Sequence, residues 1–138
     1  MKSKLLCTGI LAMAASFGAV AQETDRNVTD PTASCIGALA GEPGLKLIAG
    51  KVQGYDAPAR SASAQERAAV ATLASMRKDC YDAGTRYRKV VSTPQELSFA
   101  QDAFAYQQGL LADLQEGRIT FAQYNQRRLK MVAVAQGL

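Results

Sequence analysis

The sequence contains no histidine, and this absence removes large classes of enzyme chemistry. Serine and cysteine hydrolases use a histidine base to activate their nucleophile, so neither arrangement is available to this chain. The chain has only three cysteines, which without histidine are too few for an ordinary zinc site. We therefore expect neither a bound metal nor a cofactor.

Loops that bind phosphate or calcium are also missing from the sequence. The glycines between residues 41 and 54 are irregularly spaced and lack the preceding strand of a phosphate loop. Asp79 and Asp82 fall within a predicted helix, with Arg86 in reach, and not within an oxygen-ligand loop. The sequence has no internal repeat and no low-complexity tract. The motifs of this sequence therefore indicate no class of enzyme.

Carboxylates are the remaining candidates for the acid–base chemistry of a hydrolase. Glu96 fits a helix cap, and the others fit polar helix faces. We therefore predict a protein that is not an enzyme, and keep a carboxylate-dependent hydrolase as the less favoured alternative. The candidate acids are Asp79, Asp82, Glu96, Asp102, Asp113 and Glu116.

The first 21 residues have the pattern of a secretory signal peptide. Lys2 and Lys4 precede an apolar run, and Ala19-Val20-Ala21 supplies small residues at both recognition positions. We predict cleavage after Ala21, which removes Cys7 and places the mature protein in the periplasm or outside the cell. The alternative is an uncleaved anchor, since the run of about 17 residues is near the minimum length of a spanning helix.

Cleavage changes the charge and the size of the chain. It leaves 14 basic against 12 acidic residues, so little attraction to nucleic acid is expected. Residues 22–29 form a polar stretch that we predict to be a flexible tail, and residues 30–138 are enough for one domain.

Two cysteines, Cys35 and Cys80, remain in the mature chain. An even number of cysteines in an oxidising compartment predicts one disulfide bond, with two buried thiols as the alternative. No Cys-x-x-Cys pair is present, so the bond is expected to be structural and not redox-active.

The helix predicted from Ala64 to about Val91 is the central element. Ser63 and Glu66 have the spacing of a capping box. Apolar side chains then recur every three or four residues, which places them on one side of a helix, although Gly84 permits a break. This stripe contains Ala69, Leu73, Met76, Cys80, Ala83, Tyr87 and Val90.

Two further helices are predicted after it. One begins at the Thr93-Pro94-Gln95-Glu96 capping box and ends at Gly117, with Leu97, Ala100, Ala103, Phe104, Leu110, Leu111 and Leu114 on its apolar face. The other begins at the Thr120-Phe-Ala-Gln123 capping box, with Phe121, Tyr124, Arg128, Met131, Val132 and Ala135 at helical spacing.

The N-terminal part of the domain gives a weaker pattern. A short helix is predicted from Asp30-Pro31 to Gly41, held by the disulfide. For Leu45–Ser61 a helical turn, a short extended segment and an ordered loop are all compatible, and we favour a loop that packs Leu47, Ile48 and Val52. The predicted fold is all-α: a small antiparallel bundle of three main helices with a disulfide-pinned N-terminal helix.

The segment Leu110–Leu129 resembles the short C-terminal helix–turn–helix module called SHOCT. It has leucines, then Gly117-Arg-Ile119-Thr120, then Tyr124 and Arg128 at helical spacing. The resemblance implies a role in association rather than in catalysis. The stretches Leu45–Val52 and Arg77–Cys80 are similar to small uncharacterised exported bacterial proteins, which implies no activity.

Function is therefore predicted to be binding, as adaptor, inhibitor or assembly factor. The expected partner is another envelope protein, with membrane contact at most peripheral; the alternative is a self-associating envelope protein that uses the C-terminal hairpin. Basic clusters and one loop supply the candidate partner-binding residues Lys51, Tyr55, Arg86, Arg88, Lys89, Arg127 and Arg128. Tyr81, Tyr106 and Tyr124 are further candidate anchors, although such residues are more often core or rim positions. For the basic clusters, the alternative is a solvated helix end that the helix dipole favours.

Overall fold

The structure is a computed structural model that describes residues 29–54 and 56–137. The predicted signal peptide and residues 22–28 of the predicted tail lie outside the described residues. Within the described part the chain forms helices and no strand. The helices are α1 (Thr32–Gly41), α2 (Ala49–Gln53), α3 (Ala64–Ala83), α4 (Thr85–Val91), α5 (Pro94–Gln115) and α6 (Phe121–Ala135), with a 3-10 turn at Pro43–Leu45.

Each of the three main helices begins with the capping box that its sequence predicts. In each box the hydroxyl of the N-cap residue accepts a hydrogen bond from the backbone N–H of the residue three positions later. The side chain of that later residue accepts a hydrogen bond from the backbone N–H of the N-cap residue. The pairs are Ser63–Glu66, Thr93–Glu96 and Thr120–Gln123. Gly117 follows α5 with φ of 74°, the left-handed conformation expected of a glycine there.

The predicted small helical bundle is confirmed. Helix α3 packs on α5, α5 packs on α6, and α1 packs on α3. The core forms where α3, α5, α6 and the segment before α3 meet, and Ile48, Val70, Leu111, Leu114, Phe121 and Tyr124 are its largest fully buried side chains. No helix of the described residues combines the length and the apolar character that crossing a membrane requires.

The long central helix is divided at Gly84 into α3 and α4. Ala69, Leu73 and Cys80 of the predicted stripe are buried, but Val90 is 53% exposed and α4 has no buried residue. The prediction of one continuous apolar seam is therefore wrong beyond Cys80, because α4 extends past the core against which the stripe packs.

Residues 43–53 are more helical than the ordered loop that we favoured. Hydrogen bonds from Ile48 N to Leu45 O (3.1 Å) and from Val52 N to Ile48 O (3.0 Å) close successive turns. Ile48 and Val52, four residues apart, both reach the core, whereas Leu47 is 44% exposed. The burial of two aliphatic side chains on one face stabilises this short helix despite Gly50.

The predicted disulfide joins Cys35 of α1 to Cys80 of α3, with 5.5 Å between their Cα atoms. Such a bond is compatible with an oxidising compartment. Asp30 accepts from the backbone N–H of Thr32 at 2.8 Å, but α1 begins one residue later than predicted, so Pro31 and not Asp30 is its N-cap residue. No side chain of Thr32–Gly41 is fully buried, so α1 depends on the disulfide more than on its own packing.

Removal of the disulfide is expected to destabilise the protein strongly. The bond closes a loop of 45 residues, and the chain-entropy model gives about 4 kcal/mol for a loop of this size. The Cys35→Ser/Cys80→Ser variant should therefore melt on the order of 15–30 °C lower, as measured by circular dichroism. Limited proteolysis should cut first within α1. A melting temperature equal to that of the oxidised wild type would contradict this role of the disulfide.

Candidate functional site

An open apolar groove lies between α1 and the body of the bundle. Its cavity volume is about 600 Å³, and its walls come from α1, residues 42–53, α3, α5 and Arg88 of α4. We call it the α1 groove. This volume is within the range of about 300–1,000 Å³ that is typical of pockets for small molecules.

The floor and one wall of the α1 groove are aliphatic. Leu45, Ile48 and Leu73 are buried core residues whose side chains form the floor. Ile36 on α1 lines the groove while remaining 59% exposed, and Leu39 beside it is half-buried. Because α1 is attached by Cys35 and buries no side chain completely, its inner face stays accessible.

An aromatic pair closes one part of the groove. The rings of Tyr81 and Phe104 stack with 3.9 Å between their centroids and an interplanar angle of 10°. The guanidinium of Arg88 lies 3.9 Å from the centroid of Tyr81, donates to the Tyr81 carbonyl and donates to the Thr85 hydroxyl at 3.1 Å. Arg88 is thereby held over the aromatic ring.

Gly84 permits this arrangement. A Cβ atom at residue 84 would lie 2.6 Å from Arg88 Nη1 and 3.1 Å from Thr32 Oγ1. The absence of a side chain at Gly84 therefore leaves room for Arg88 and for Thr32 at the start of α1.

Three cations line the groove, and we call them the cationic rim: Lys46, Arg77 and Arg88. Among the described residues none of the three pairs with a carboxylate within 4.0 Å. Arg77 is half-buried and donates to the Tyr124 hydroxyl at 3.4 Å. Glu42 is the one acidic residue in the lining, and its carboxylate already accepts from Gly44 N at 3.3 Å.

Asp30 lies close enough to Arg88 for their charges to interact. The hydroxyl and the backbone N–H of Thr32 hold the pKa of Asp30 below its ordinary value, and the charge of Arg88 contributes to the same direction. The rim thus remains net positive, with Arg88 the most compensated of its three members.

A second polar cluster surrounds the buried carboxylate of Glu66. Arg60 donates to both carboxylate oxygens, at 2.7 and 2.8 Å, and Lys51 donates at 2.6 Å. The backbone N–H of Ser63 donates at 2.7 Å. Asn125 of α6 donates to the carbonyls of Lys51 and Phe121, at 2.5 and 3.0 Å. The cluster therefore joins α2, the loop before α3, α3 itself and α6.

These contacts explain the acidity of Glu66. The hydrogen bonds of Arg60, followed by those of Lys51 and Ser63, hold the pKa of Glu66 well below its ordinary value, although burial opposes the shift. A carboxylate that is ionised and fully paired at neutral pH has no proton to donate and no free lone pair for a substrate. The arrangement fits a structural role.

The candidate partner-binding residues do not form one group. Lys51 is engaged by Glu66, and Arg127 is 3.9 Å from Asp113. Arg86 and Lys89 are exposed on α4, whereas Arg88 turns into the α1 groove. Arg128 is half-buried, and Tyr55 lies outside the described residues.

The candidate tyrosines also separate into different environments. Tyr81 lines the α1 groove, and Tyr106 is 44% exposed on α5. Tyr124 is fully buried in the core. Tyr124 is therefore a packing residue, which is the more common role of such tyrosines, and it is not available as a surface anchor.

The candidate acids lack a shared cleft. Asp82 pairs with Lys78, and Arg118 pairs with both Asp113 and Glu116. Glu96 caps α5, and the Thr93 backbone N–H and hydroxyl lower its pKa. Asp79 and Asp102 are exposed. The described residues contain no group of three potential metal ligands.

Two features of the site escaped the sequence analysis. The Ser63–Glu66 spacing identified Glu66 as a cap, but nothing in the sequence indicated that Lys51 and Arg60 would converge on it. The α1 groove is equally absent from local patterns, because it depends on how α1 and residues 42–53 are placed against α3 and α5. Comparison with family models, with curated proteins and with solved structures finds no match.

Replacement of Glu66 by glutamine tests the structural role of the second cluster. The amide would leave Lys51 and Arg60 without their counter-charge, so Glu66→Gln should lower the free energy of unfolding by roughly 2 kcal/mol at pH 7. Because the folded-state pKa of Glu66 is depressed, the carboxylate stabilises the protein fully at pH values above its ordinary pKa of 4.5, and this contribution decreases as pH falls from there toward the folded-state pKa.

Urea denaturation at pH 7 and at pH 3 measures both effects. The difference in stability between wild type and Glu66→Gln should be large at pH 7 and smaller at pH 3. Glu96→Gln is the matched control, since Glu96 occupies the same capping position on α5 but is exposed; it should cause a smaller loss. Equal losses in the two variants at pH 7 would assign the effect to capping alone.

Proposed function

We propose that the protein is a non-enzymatic periplasmic binding protein that acts on another protein of the cell envelope, as adaptor, inhibitor or assembly factor. The observation that carries the proposal is the α1 groove, an accessible apolar groove beside Ile36 with a cavity volume of about 600 Å³. Exposed apolar surface of this kind commonly marks an interaction site. The pairing or exposure of the candidate acids supports binding rather than catalysis.

The compartment is part of the same proposal. The disulfide supports an oxidising environment, and the Lys2-to-Ala21 pattern supports export and cleavage near Ala21. In such a compartment α1 is kept in place covalently, so the groove persists without extensive packing of α1.

Self-association as an envelope structural protein is the alternative. The leucines of the C-terminal hairpin, Leu110, Leu111 and Leu114, are buried in the protein's own core, so they are not available to a second copy. A second copy would have to use exposed side chains such as Phe99, Tyr106 and Val134. Sedimentation velocity across a range of concentrations distinguishes this alternative, because only self-association makes the sedimentation coefficient rise with concentration.

Site-specific cross-linking in the host envelope tests the leading proposal. A photo-reactive phenylalanine analogue replaces Ala40, which lines the groove and is exposed, and in a second protein it replaces Val134, which is 70% exposed on α6. We expect a specific protein adduct from residue 40 and none of the same mass from residue 134.

A pair of charge variants tests whether the adduct depends on the groove. Ile36→Glu places a carboxylate on the groove wall at a side chain that is already exposed, so the fold should be retained. The adduct should disappear in Ile36→Glu and persist in Val134→Glu. Absence of any protein adduct at residue 40, or an adduct that Ile36→Glu leaves unchanged, would contradict the proposal.

A further inference from the structure

The inner face of α1 presents an apolar strip to the groove. Ile36, Leu39 and Ala40 have the i, i+3, i+4 spacing that places side chains on one side of a helix, and all three line the groove. Tyr81 and Phe104 also line it. An incoming element would therefore meet aliphatic side chains from α1 and aromatic side chains from the body of the bundle.

The shape of the groove favours a helix as its occupant. Its walls are helices, it is open along one side, and the described residues offer no strand edge to which an extended peptide could add. Helices bind such grooves through apolar side chains at i, i+3, i+4 and i+7.

The charge of the groove limits which helix fits. Lys46 and Arg77 of the cationic rim have no carboxylate partner among the described residues, and the three cations of the lining outnumber its one carboxylate, Glu42. A basic helix would be repelled, whereas aspartate or glutamate flanking the apolar stripe would complete the rim. Because Arg77 is half-buried, a carboxylate there would interact through less water than at an open surface.

We propose that the α1 groove binds an acidic amphipathic helix of a partner protein, with its apolar stripe against Ile36 and Leu39 and its carboxylates on Lys46 and Arg77. This inference rests on the proposed function and adds the chemical class of the partner.

A second copy of this chain is a poorer occupant. Helix α5 does carry an exposed face with Phe99, Asp102 and Tyr106, which has apolar and acidic character. However, Phe99 and the groove residue Phe104 are about 140° apart around α5, so the groove and this face lie on different sides of the helix. Docking one into the other would be head-to-tail, which produces a ring or an open filament and not the two-fold dimer that is the commonest oligomer.

Selection from a displayed library of helical peptides tests the inference. The disulfide-bonded protein is the target, and peptides that also bind Ile36→Asn, which removes the apolar side chain without adding a charge, are removed by counter-selection. We expect the enriched peptides to carry an apolar stripe flanked by aspartate or glutamate. If the enriched peptides lack acidic residues, the proposed contact of carboxylates with Lys46 and Arg77 is wrong. If no peptide distinguishes the wild type from the counter-selection variant, the inference as a whole is wrong.

An enriched peptide then serves as the probe in fluorescence anisotropy. Lys46→Gln and Arg77→Gln should each weaken its binding about three- to tenfold, and added salt should reduce the difference. Lys130→Gln, which removes an exposed cation of α6, should leave binding unchanged. Arg77→Gln could also perturb folding, since Arg77 donates to the buried Tyr124. Lys46 is exposed, so Lys46→Gln tests the rim without this effect. Equal affinity for wild type and Lys46→Gln would refute the role of the rim.

The remaining outcomes separate this inference from the proposed function. If laurate, and no peptide, shifts the backbone resonances of Ile36 and Leu39, the groove binds a lipid anion and the inference fails. If residue 40 cross-links a partner whose contacting segment is not an acidic helix, the proposed function stands while the inference fails. If the sedimentation coefficient of the wild type rises with concentration, and that of Ile36→Glu stays at the monomer value, a second copy is the occupant and the inference fails.

Discussion

Burial of the Glu66 carboxylate is the constraint on which the other parts of the structure depend. A charge at this depth is tolerated only when every lone pair has a donor, and Arg60, Lys51 and the Ser63 N–H supply these donors. To do so, α2 and the loop before α3 must converge on the first turn of α3. The backbone of Lys51 then accepts from Asn125, which joins α6 to the same point.

The α1 groove is a consequence of these contacts around Glu66. Residues 42–53 form part of its lining and are held in place by the Lys51–Glu66 pair and by the burial of Ile48 and Val52. Opposite them, α1 is fixed by the disulfide and not by a buried face of its own. One wall is therefore set by packing and electrostatics and the other by a covalent bond, which leaves an apolar space between them.

Charge is distributed unevenly between the two clusters. The Glu66 cluster uses its cations internally, whereas the cationic rim retains at least Lys46 and Arg77 without a carboxylate partner in the described part of the chain. Lysine and arginine residues that look equivalent in a sequence thus divide into structural cations and cations available to a partner. This division is why the proposed partner is acidic, and why Lys51 no longer belongs to the candidate interface.

Local sequence determined the features whose physics is local. Capping boxes at Ser63, Thr93 and Thr120 depend on residues three apart, and Cys35 and Cys80 are the two cysteines outside the predicted signal peptide, so the starts of the three main helices and the disulfide were predictable. Only the tertiary structure decided what meets across the fold: the burial of Glu66 between Lys51 and Arg60, the helical turn at 49–53, and the groove beside α1. These arise from long-range contacts, whose energies depend on surroundings that no short stretch of sequence contains.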